Sequence, residues 1–453
     1  MEIVQFVADA LGDASYLVVS GSEAAVVDPQ RDVRPYLAAA RERGVTITHA
    51  VETHVHNDYV SGGPELAALG ALIVAPAESG IRFAHRPVHD GDEIVVGGAR
   101  LRAVHAPGHT HHHTAYLAID EAGQTAGAFT GGSIIIGGAG RSDLLGPDET
   151  ETLTRLQWET AHRLEALLPD EGELLPTHGA GSFCSANSCS TDRRARIGDE
   201  RPRNIVLASP DFETFRVLHL ANPAPIPGYY RHMAPINREG PRLYGTPPRT
   251  ALLTPDRLEA ERAAGALVVD VRPRFAFADA HVPGSLSLEE DGSMLAYAGW
   301  VVPFNHTMVL VTDDMTQADR VATDFLRIGY EEVRGALPFE AWRGAGRPVD
   351  HLDVVARAEA ARLLADRRVP ALDVRFDRDL AALAVPGALH RPLDRAPEWL
   401  PDVEAGTPLV FCGGGSRATT AASLLQGRGI RPRVLTDGGA EDLVAATVTG
   451  AHA

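Results

Sequence analysis

Short apolar runs alternate with longer amphipathic stretches along most of the chain, which predicts strands and helices that follow one another. In the first part, SYLVVS (residues 15–20) and EAAVVD (23–28) predict strands, and VRPYLAAARERG (33–44) predicts a helix that ends at Gly44. The next predicted strand, TITHAVET (46–53), delivers His54 to its carboxyl end. Loops at such strand ends carry catalytic groups in α/β proteins, so we expect chemistry there.

One pattern occurs twice in the second half. The runs LVVDVRPRF (267–275) and ALDVRFDRD (371–379) are each followed by Val-Pro-Gly, another strand, a polar loop and a helix. The repetition predicts an internal duplication of about 100 residues, each copy a small α/β domain with a parallel sheet. The predicted domains are residues 1–245, 250–348 and 351–453, and the Pro- and Gly-rich stretch 222–250 predicts an extended arm or linker.

Composition narrows the range of functions. A chain of 453 residues with 44% hydrophobic content is too long to fold around a single hydrophobic core, so we expect two to four domains. Its net charge of −18 argues against nucleic acid and anionic membranes as partners. It contains no lysine, which excludes a Schiff-base or P-loop lysine. Its three cysteines, Cys184, Cys189 and Cys412, form no disulfide framework, and no signal peptide is evident, so we expect a cytoplasmic protein. The sequence is compatible with a monomer or with a homo-oligomer.

Histidines cluster where the pattern predicts loops. His54, His56 and Asp58 lie in THVHND, His109 follows in APGHT, and His178 lies in PTHG. Three imidazoles with an open position suit catalytic zinc, whereas two imidazoles and a carboxylate suit non-haem iron. These residue types alone are compatible with either zinc or iron.

Four motifs, in this order, closely resemble the metallo-β-lactamase fold over roughly residues 1–245: THVHND, APGHT, FTGGSIIIGGAGRSDL and PTHG. The resemblance implies an αββα sandwich and metal-binding roles for His54, His56 and His109. It also makes Asp58 and His178 candidates for a second site or for substitute ligands.

The sequence departs from the family pattern at two positions. Tyr59 stands where the family usually has a histidine for a second metal, and Gly132 replaces the aspartate of Thr-Gly-Asp. We therefore predict one metal ion per chain. If the missing carboxylate weakens the site, the substitution Gly132→Asp is expected to raise its affinity for iron.

The glycine-rich loop VFCGGGSR (410–417) is the clearest motif of the second half. Its glycines let backbone N–H groups surround the sulfur of Cys412, and a helix N-terminus and Arg417 add positive potential. It resembles the active loop of rhodaneses, which implies catalytic roles for Cys412 and Arg417 and substrate binding by the residues between them, Gly413, Gly414, Gly415 and Ser416. The first copy has VTDDMTQADR instead, without cysteine, and is predicted to be non-catalytic.

A metallo-β-lactamase domain fused to rhodanese domains resembles persulfide dioxygenases and their rhodanese fusions, which use one iron to oxidise a thiol persulfide to sulfite and thiol. The resemblance favours iron, with zinc as the other option, and a small thiol persulfide or thiosulfate as substrate. Arg141 in GRSD is a candidate for a substrate carboxylate, or else forms a salt bridge with Asp143.

Two other readings stay open. One is a thioester hydrolase of the glyoxalase II type, which needs two metals. The other is a degenerate metal domain that serves the rhodanese as a scaffold. Cys184 is either near the metal or a buried structural thiol, and Tyr229, Tyr230 and His232 either cover the pocket or belong to a linker.

Overall fold

The computed structural model describes residues 1–186, 190–221, 223–245, 249–367, 369–404 and 406–450, with backbone only for 447–450. The chain forms two compact units, Met1–Pro248 and Arg249–Ala453. Cys189 and residues 222 and 246–248 of the predicted arm lie outside the described residues. Within the described ranges, every helix is too short or too polar to cross a membrane.

The first unit contains two six-stranded sheets. The first sheet follows chain order, β1 to β6: Glu2–Ala8, Asp13–Ser20, Glu23–Val27, Thr46–Val51, Leu72–Pro76 and Arg86–Val88. The next strands, β7 to β14, are Glu93–Val96, Ala99–His105, Thr114–Ile119, Thr125–Gly131, Ala139–Gly140, Glu173–Pro176, Ser185–Ala186 and Ala195–Arg196. The second sheet has the order β14-β12-β10-β9-β8-β7, and β11 pairs with β13.

Helices cover the outer faces of both sheets, which gives the predicted αββα sandwich. In the first unit they are α1 to α7: Arg34–Arg43, Gly63–Ala68, Pro147–Leu167, Ile197–Glu200, Ile205–Ala208, Phe212–His219 and Tyr230–Glu239. Strand β2 shows the layering, because Tyr16 and Val18 pack between the sheets while Leu17 and Val19 pack under α1. Such a strand is buried on both faces, which explains its continuous apolar run.

A helix forms inside the stretch predicted to be an extended arm. Helix α7 contains Pro235 and buries Tyr230, Met233 and Asn237 on one face. The spacing of these three residues is helical, and burial of that face outweighs the cost of an internal proline.

The second unit contains two parallel sheets, one for each predicted copy. The silent copy (residues 250–348) has the order β16-β15-β17-β18, formed by β15 to β18: Leu267–Asp270, Leu286–Ser287, Met308–Thr312 and Val333–Pro338. Its helices, α8 to α12, are Pro255–Ala263, Arg274–Asp279, Met294–Val301, Met315–Arg327 and Phe339–Gly344.

The cysteine copy (residues 351–453) repeats this plan. Its strands β19 to β23 have the order β19-β23-β22-β20-β21 and are Asp353–Val354, Ala371–Asp373, Leu389–His390, Leu409–Phe411 and Arg433–Val434. Its helices, α13 to α17, are Arg357–Asp366, Asp377–Ala382, Ala396–Trp399, Ser416–Gly427 and Ala440–Gly450, with 3₁₀ turns at Leu393–Arg395 and Leu400–Asp402.

The repeated Asp-Val-Arg motif has the same structural role in both copies. Arg272 donates to both carboxylate oxygens of Asp270, and Arg375 does the same to Asp373. All four side chains are buried, and each arginine also donates to a backbone carbonyl further along its copy. Buried pairs of this kind hold a strand end to the following loop, so the motif marks the fold of each copy.

Candidate functional site

The metal-binding candidates converge at the carboxyl ends of the strands in the first unit. Potential ligand atoms of His54, His109 and His178 lie within 4.8 Å of one another, and so do those of His56, Asp58 and His178. The His54 ring centroid is 4.2 Å from that of His56 and 4.9 Å from that of His109. All five side chains are buried. The structure therefore gathers the predicted ligands and the predicted substitutes into one cluster that shares His178.

The hydrogen bond of His109 shows which ring nitrogen is available to a metal. His109 Nδ1 lies 2.7 Å from the carbonyl oxygen of Arg141, which can only accept, so Nδ1 carries the proton. Burial, followed by the charge of His178, lowers the pKa of His109 to about 3. The opposite nitrogen, Nε2, therefore keeps a lone pair that points into the cluster.

His178 lies between two carboxylates. Its Nδ1 is 3.0 Å from Asp13 Oδ1 and 3.2 Å from Asp58 Oδ2. Burial opposes protonation of His178, but Asp58 and Asp13 outweigh it and raise the His178 pKa to about 10. The two carboxylates thus stabilise a proton on His178, and a metal bound by this residue would have to displace that proton.

The donor set fits a metal ion. Among the described residues, His109 Nε2 and His56 Nδ1 are buried and have no hydrogen-bond partner, an arrangement that is costly unless another group satisfies them. Imidazole nitrogens with one carboxylate are ligands for iron or zinc in proteins.

His56 is held from behind by a buried network. Its Nε2 lies 3.3 Å from Asp28 Oδ1, 3.4 Å from Glu52 Oε2 and 3.0 Å from the Tyr59 hydroxyl. Burial lowers the pKa of His56, but Asp28 and Glu52 outweigh it and raise this pKa to about 10. The network fixes Nε2 as a hydrogen-bond donor, and a metal on Nδ1 would have to displace the second proton of the ring.

Tyr59, which replaces the expected second-metal histidine, belongs to this network. Its ring stacks on His56 at 4.2 Å between centroids and 24° between planes, and its hydroxyl donates to the carbonyl oxygen of Asp28. Tyr59 is fully buried. A position that supplies a ligand in related proteins here supports a neighbouring candidate ligand instead.

Asp28 is the central hydrogen-bond acceptor of the network that supports the candidate metal ligands. It accepts hydrogen bonds from the backbone N–H of Thr53 and from the hydroxyls of Thr53 and Thr177. Its backbone is left-handed, with φ of 50°, a conformation that aspartate tolerates better than most residues. Asp28 thus connects the first sheet to the loops that carry His54 and His178.

Gly132 leaves no room for the carboxylate that the family has at this position. A Cβ atom at Gly132 would lie 2.5 Å from His109 Cδ2 and 2.6 Å from His109 Cγ. The expectation that Gly132→Asp raises iron affinity is therefore corrected, because a side chain there would displace the His109 ring. The His109 ring packs directly on this glycine.

Of the other histidines near His109, two serve the backbone. His113 Nε2 accepts from the N–H of Gly132, and His112 Nε2 accepts from the N–H of Val55. His111 is half-exposed and contacts Glu149. Only His109 of the HTHHH run enters the donor groups of the described residues.

The structure places Arg141 in the salt bridge that the sequence offered as its alternative role. Its guanidinium pairs with both oxygens of Asp143 and donates to the carbonyl of Ala224. Arg141 is buried, and its backbone carbonyl orients His109. These contacts support the fold of the site, and substrate binding by Arg141 stays a prediction.

Cys184 lies close to the metal cluster. Its Sγ is 3.7 Å from the Tyr230 hydroxyl, and burial, with Asp58 and Asp13 as further causes, raises the pKa of Cys184 well above its ordinary value. A thiol in this state stays protonated and is a weak nucleophile. Tyr230 lies on helix α7, so this helix packs beside the cluster.

In the second unit, the loop after β22 surrounds the sulfur of Cys412. The backbone N–H of Gly415 donates to Cys412 Sγ over 3.1 Å, and Cys412 is only 1% exposed. Gly415 has φ of 97°, and a Cβ there would overlap the carbonyl oxygen of Thr436. Only glycine fits this position, which lies at the N-terminus of α16. Gly413 and Gly414 are exposed beside the sulfur.

Arg417 points back over the same loop. It forms an ion pair with Asp379 at 2.6 Å and lies over the Phe376 ring, 4.4 Å from the centroid. Burial lowers the pKa of Arg417, but the interactions with Cys412, Tyr297 and Asp379 outweigh it and raise this pKa. The guanidinium is thus near the sulfur, with its charge balanced by a carboxylate.

The silent copy has a threonine where the other copy has its cysteine. In both copies the aspartate of Asp-Val-Arg pairs with the residue before this position, Val311 in one and Phe411 in the other. The residue that follows is Thr312 in the silent copy and Cys412 in the cysteine copy, so these two residues occupy equivalent positions. Thr312 is fully buried and provides no thiol, which agrees with a non-catalytic copy.

Comparisons with known proteins match both units. The Rhodanese-like domain family matches residues 254–335 and 356–446. The solved structure of a metallo-beta-lactamase from Staphylococcus aureus subsp. aureus COL has a TM-score of 0.67 and 29% identity, and the match covers 74% of this chain and 99% of that chain. The chain therefore combines a metallo-β-lactamase fold in its N-terminal part with rhodanese-like domains in its C-terminal half, as predicted.

Further similarities concern the N-terminal part. A hydroxyacylglutathione hydrolase from Rhodospirillum rubrum is 34% identical over 146 residues, which is 32% of this chain and 52% of the relative. The structure of ETHE1 from Myxococcus xanthus has 25% identity and a TM-score of 0.45, with 52% of this chain and 98% of that chain covered. This chain spans about half the length of the hydrolase it matches.

Sequence reasoning missed the residues that support the candidate ligands. Asp13, Asp28, Glu52 and Asn237 are all buried and all contact the ligand loops. Asp28 had a detectable signal, because it follows an apolar strand directly and such strand ends carry functional groups. Asp13 and Asn237 had none, because they lie far along the chain from the histidines.

Proposed function

We propose that this protein is a sulfur-metabolism enzyme in which the first unit oxidises a small thiol persulfide and Cys412 carries sulfane sulfur. The observation that supports this most is the presence, in one chain, of a buried histidine–carboxylate cluster and of a rhodanese-like loop with its cysteine. The loop favours sulfur transfer, and the cluster is suited to a metal that activates an oxidant or water.

In the first unit, His54, His109 and His178 would hold the metal, so that His178 takes the role predicted for His56, and His56 and Asp58 lie next to them. When bound, iron would supply the redox chemistry that oxygen-dependent persulfide oxidation requires. The residues of this chain orient the ligands: Arg141 through its carbonyl holds His109, and the Asp28 network holds His56. Burial of the cluster excludes bulk water and strengthens each of these electrostatic contacts.

In the second unit, the sulfur step is a displacement. The Cys412 thiolate attacks the outer sulfur of a persulfide R–S–SH, so that a new S–S bond forms on Cys412. The S–S bond to the carrier breaks, its electron pair leaves with the carrier as R–S⁻, and the proton stays on the transferred sulfur. Donation from the Gly415 N–H and the helix N-terminus stabilise the anionic sulfur before and after transfer.

The hydroxyacylglutathione hydrolase relative supports a second candidate, a thioester hydrolase. That chemistry uses two metals to generate and orient hydroxide. Tyr59 and Gly132 remove two groups on which a second metal would depend, and the contacts of both residues show that other roles have replaced them. We therefore rank hydrolysis below persulfide oxidation.

The test is metal analysis of anaerobically purified full-length protein, combined with an oxygen electrode and sulfite assay using glutathione persulfide. We expect about one iron per chain and oxygen uptake matched by sulfite. Hydrolysis of S-lactoylglutathione without oxygen uptake would assign the first unit to the hydrolases. Protein with neither activity and no bound metal would make the first unit a scaffold.

A further inference from the structure

The silent copy contributes a wall to the Cys412 site. Helix α10 (Met294–Val301) packs against the 3₁₀ turn Leu393–Arg395 and against α15 of the cysteine copy. Further hydrogen bonds join the copies, from Ser287 N–H to Ser423 Oγ and from Arg274 to the carbonyl of Thr436. The two copies thus meet beside the loop that holds the cysteine.

The part of this wall nearest the loop is aromatic. The Tyr297 and Trp300 rings stack at 5.7 Å between centroids, and Trp300 meets Phe376 edge to face at 5.2 Å. Phe376 in turn lies under the Arg417 guanidinium. Burial raises the pKa of Tyr297 to about 12, and the charges of Arg417 and Cys412 also act on its hydroxyl. Carbon atoms of a substrate would find apolar surface here.

The charged part of the wall is acidic. Asp291 Oδ2 lies 3.4 Å from the hydroxyl of Ser416, the first residue of α16, and Glu289 accompanies it in an ion pair with Arg274. On the other side, Asp379 balances Arg417. The positive potential of the helix N-terminus is therefore opposed by carboxylates on two sides of the loop.

Sulfane-sulfur donors differ in the group that is attached to the transferred sulfur. In thiosulfate that group is a sulfonate, and the whole donor is a dianion that brings two negative charges into the loop. In an organic persulfide it is a sulfur bonded to carbon, and the charges of the carrier lie further away. Like charges at short distance repel each other strongly when they are partly desolvated, so a carboxylate beside the loop discriminates between the two donors.

Resting on the proposed sulfur-transfer function, we propose that the silent copy makes Cys412 selective for organic thiol persulfides over small sulfur dianions. Asp291 of the silent copy repels the sulfonate, and Trp300 of that copy, together with Phe376 of the cysteine copy, forms the apolar surface for the carbon side of the carrier. The silent copy therefore determines the substrate specificity of the active site in the cysteine copy. The displacement at Cys412 is unchanged, with R–S⁻ as the leaving group.

The test compares single-turnover loading of full-length protein with glutathione persulfide and with thiosulfate, followed by intact mass for one added sulfur atom. The Cys412→Ser variant corrects for sulfur bound elsewhere. We expect loading from the persulfide to be at least about tenfold faster at equal concentration. Asp291→Asn should raise the thiosulfate rate, and the ratio of the thiosulfate rate to the persulfide rate should increase about tenfold.

Two further variants complete the design. Asp379→Asn frees the Arg417 charge and should also favour thiosulfate, whereas Asp366→Asn removes an exposed carboxylate on α13 and should change neither rate. Equal or faster loading of wild-type protein from thiosulfate would overturn the proposal, and so would a thiosulfate rate unaffected by Asp291→Asn. Loading from neither donor would instead refute the sulfur-transfer function itself.

Discussion

The two candidate sites are built in opposite ways. The groups that surround the Cys412 sulfur come mostly from consecutive residues, Cys412 to Arg417, on one loop and one helix N-terminus. The metal cluster joins His54 to His178, which are 124 residues apart, and His178 to Asp13, which are 165 residues apart. A local site depends on the backbone shape of its loop, whereas a dispersed site depends on the packing of the whole sandwich.

The two sites should therefore respond differently to substitution. In the loop, the glycines supply backbone donors, and the single thiol that reacts cannot be replaced by another side chain without loss of sulfur transfer. In the cluster, each ligand is held by a further residue, so the loss of metal affinity should decrease from ligands to supports. The following substitutions test this contrast from the largest expected effect to the smallest.

The largest effect is expected for Cys412→Ser. Sulfur transfer from glutathione persulfide should fall to background, because a serine hydroxyl at neutral pH does not attack sulfane sulfur. Metal content should stay that of wild type, as measured by elemental analysis. Thr312→Val is the matched control in the silent copy and should keep full transfer. Normal turnover by the serine variant would refute the assignment of Cys412.

His109→Ala should remove most of the metal. It deletes the imidazole whose Nε2 is buried in the cluster without a hydrogen-bond partner. The control is His111→Ala, two residues away and half-exposed, which should retain the metal. Full metal content in the His109 variant, with an unchanged melting temperature, would show that the metal is bound elsewhere.

Gly132→Asp should weaken metal binding rather than strengthen it. The new Cβ overlaps the His109 ring, and overpacking of this kind costs about 1–3 kcal/mol. Gly132→Ala carries the same Cβ without the carboxylate and should lose affinity to a similar degree. If the aspartate variant binds iron more tightly than wild type while the alanine variant does not, the carboxylate is a ligand and the steric explanation is wrong.

The smallest effect is expected for Tyr59→Phe. It keeps the ring that stacks on His56 and removes the hydroxyl that contacts His56 Nε2 and the Asp28 carbonyl. Supports of metal ligands typically change affinity by about 10–100-fold, and the ring alone should preserve part of this. Competition with a chelator gives the affinity. A variant that gains a second metal equivalent would contradict the supporting role.

The predictability of each part follows from the same contrast. The duplicated copies and the cysteine loop could be recognised from the sequence because their signals, Asp-Val-Arg and the glycine run, are local. The αββα sandwich and the histidine motifs could be recognised by resemblance. Sequence patterns could not show that Asp13 meets His178 or that Asp28 holds His56, because those contacts exist only after both sheets have packed.

Two predictions from the sequence were wrong because they depend on tertiary packing, which local sequence patterns do not show. The Pro-rich stretch contains helix α7, since burial of Tyr230 and Met233 compensates for Pro235. Gly132 looked like a lost ligand, but its missing side chain is the space into which His109 packs. In both cases a neighbour distant in sequence decides the outcome.

Asn237 on helix α7 has a consequence for the order in which the protein is made. Its amide donates to the carbonyls of His56 and Tyr59, 181 and 178 residues earlier, and its carbonyl oxygen accepts from the N–H of Ser61. During synthesis, the His-Val-His-Asn-Asp loop leaves the ribosome long before Asn237 does. The loop is thus fastened only when translation has passed the whole sandwich, and loading of metal into a fully ordered site becomes a late event in the life of the nascent chain.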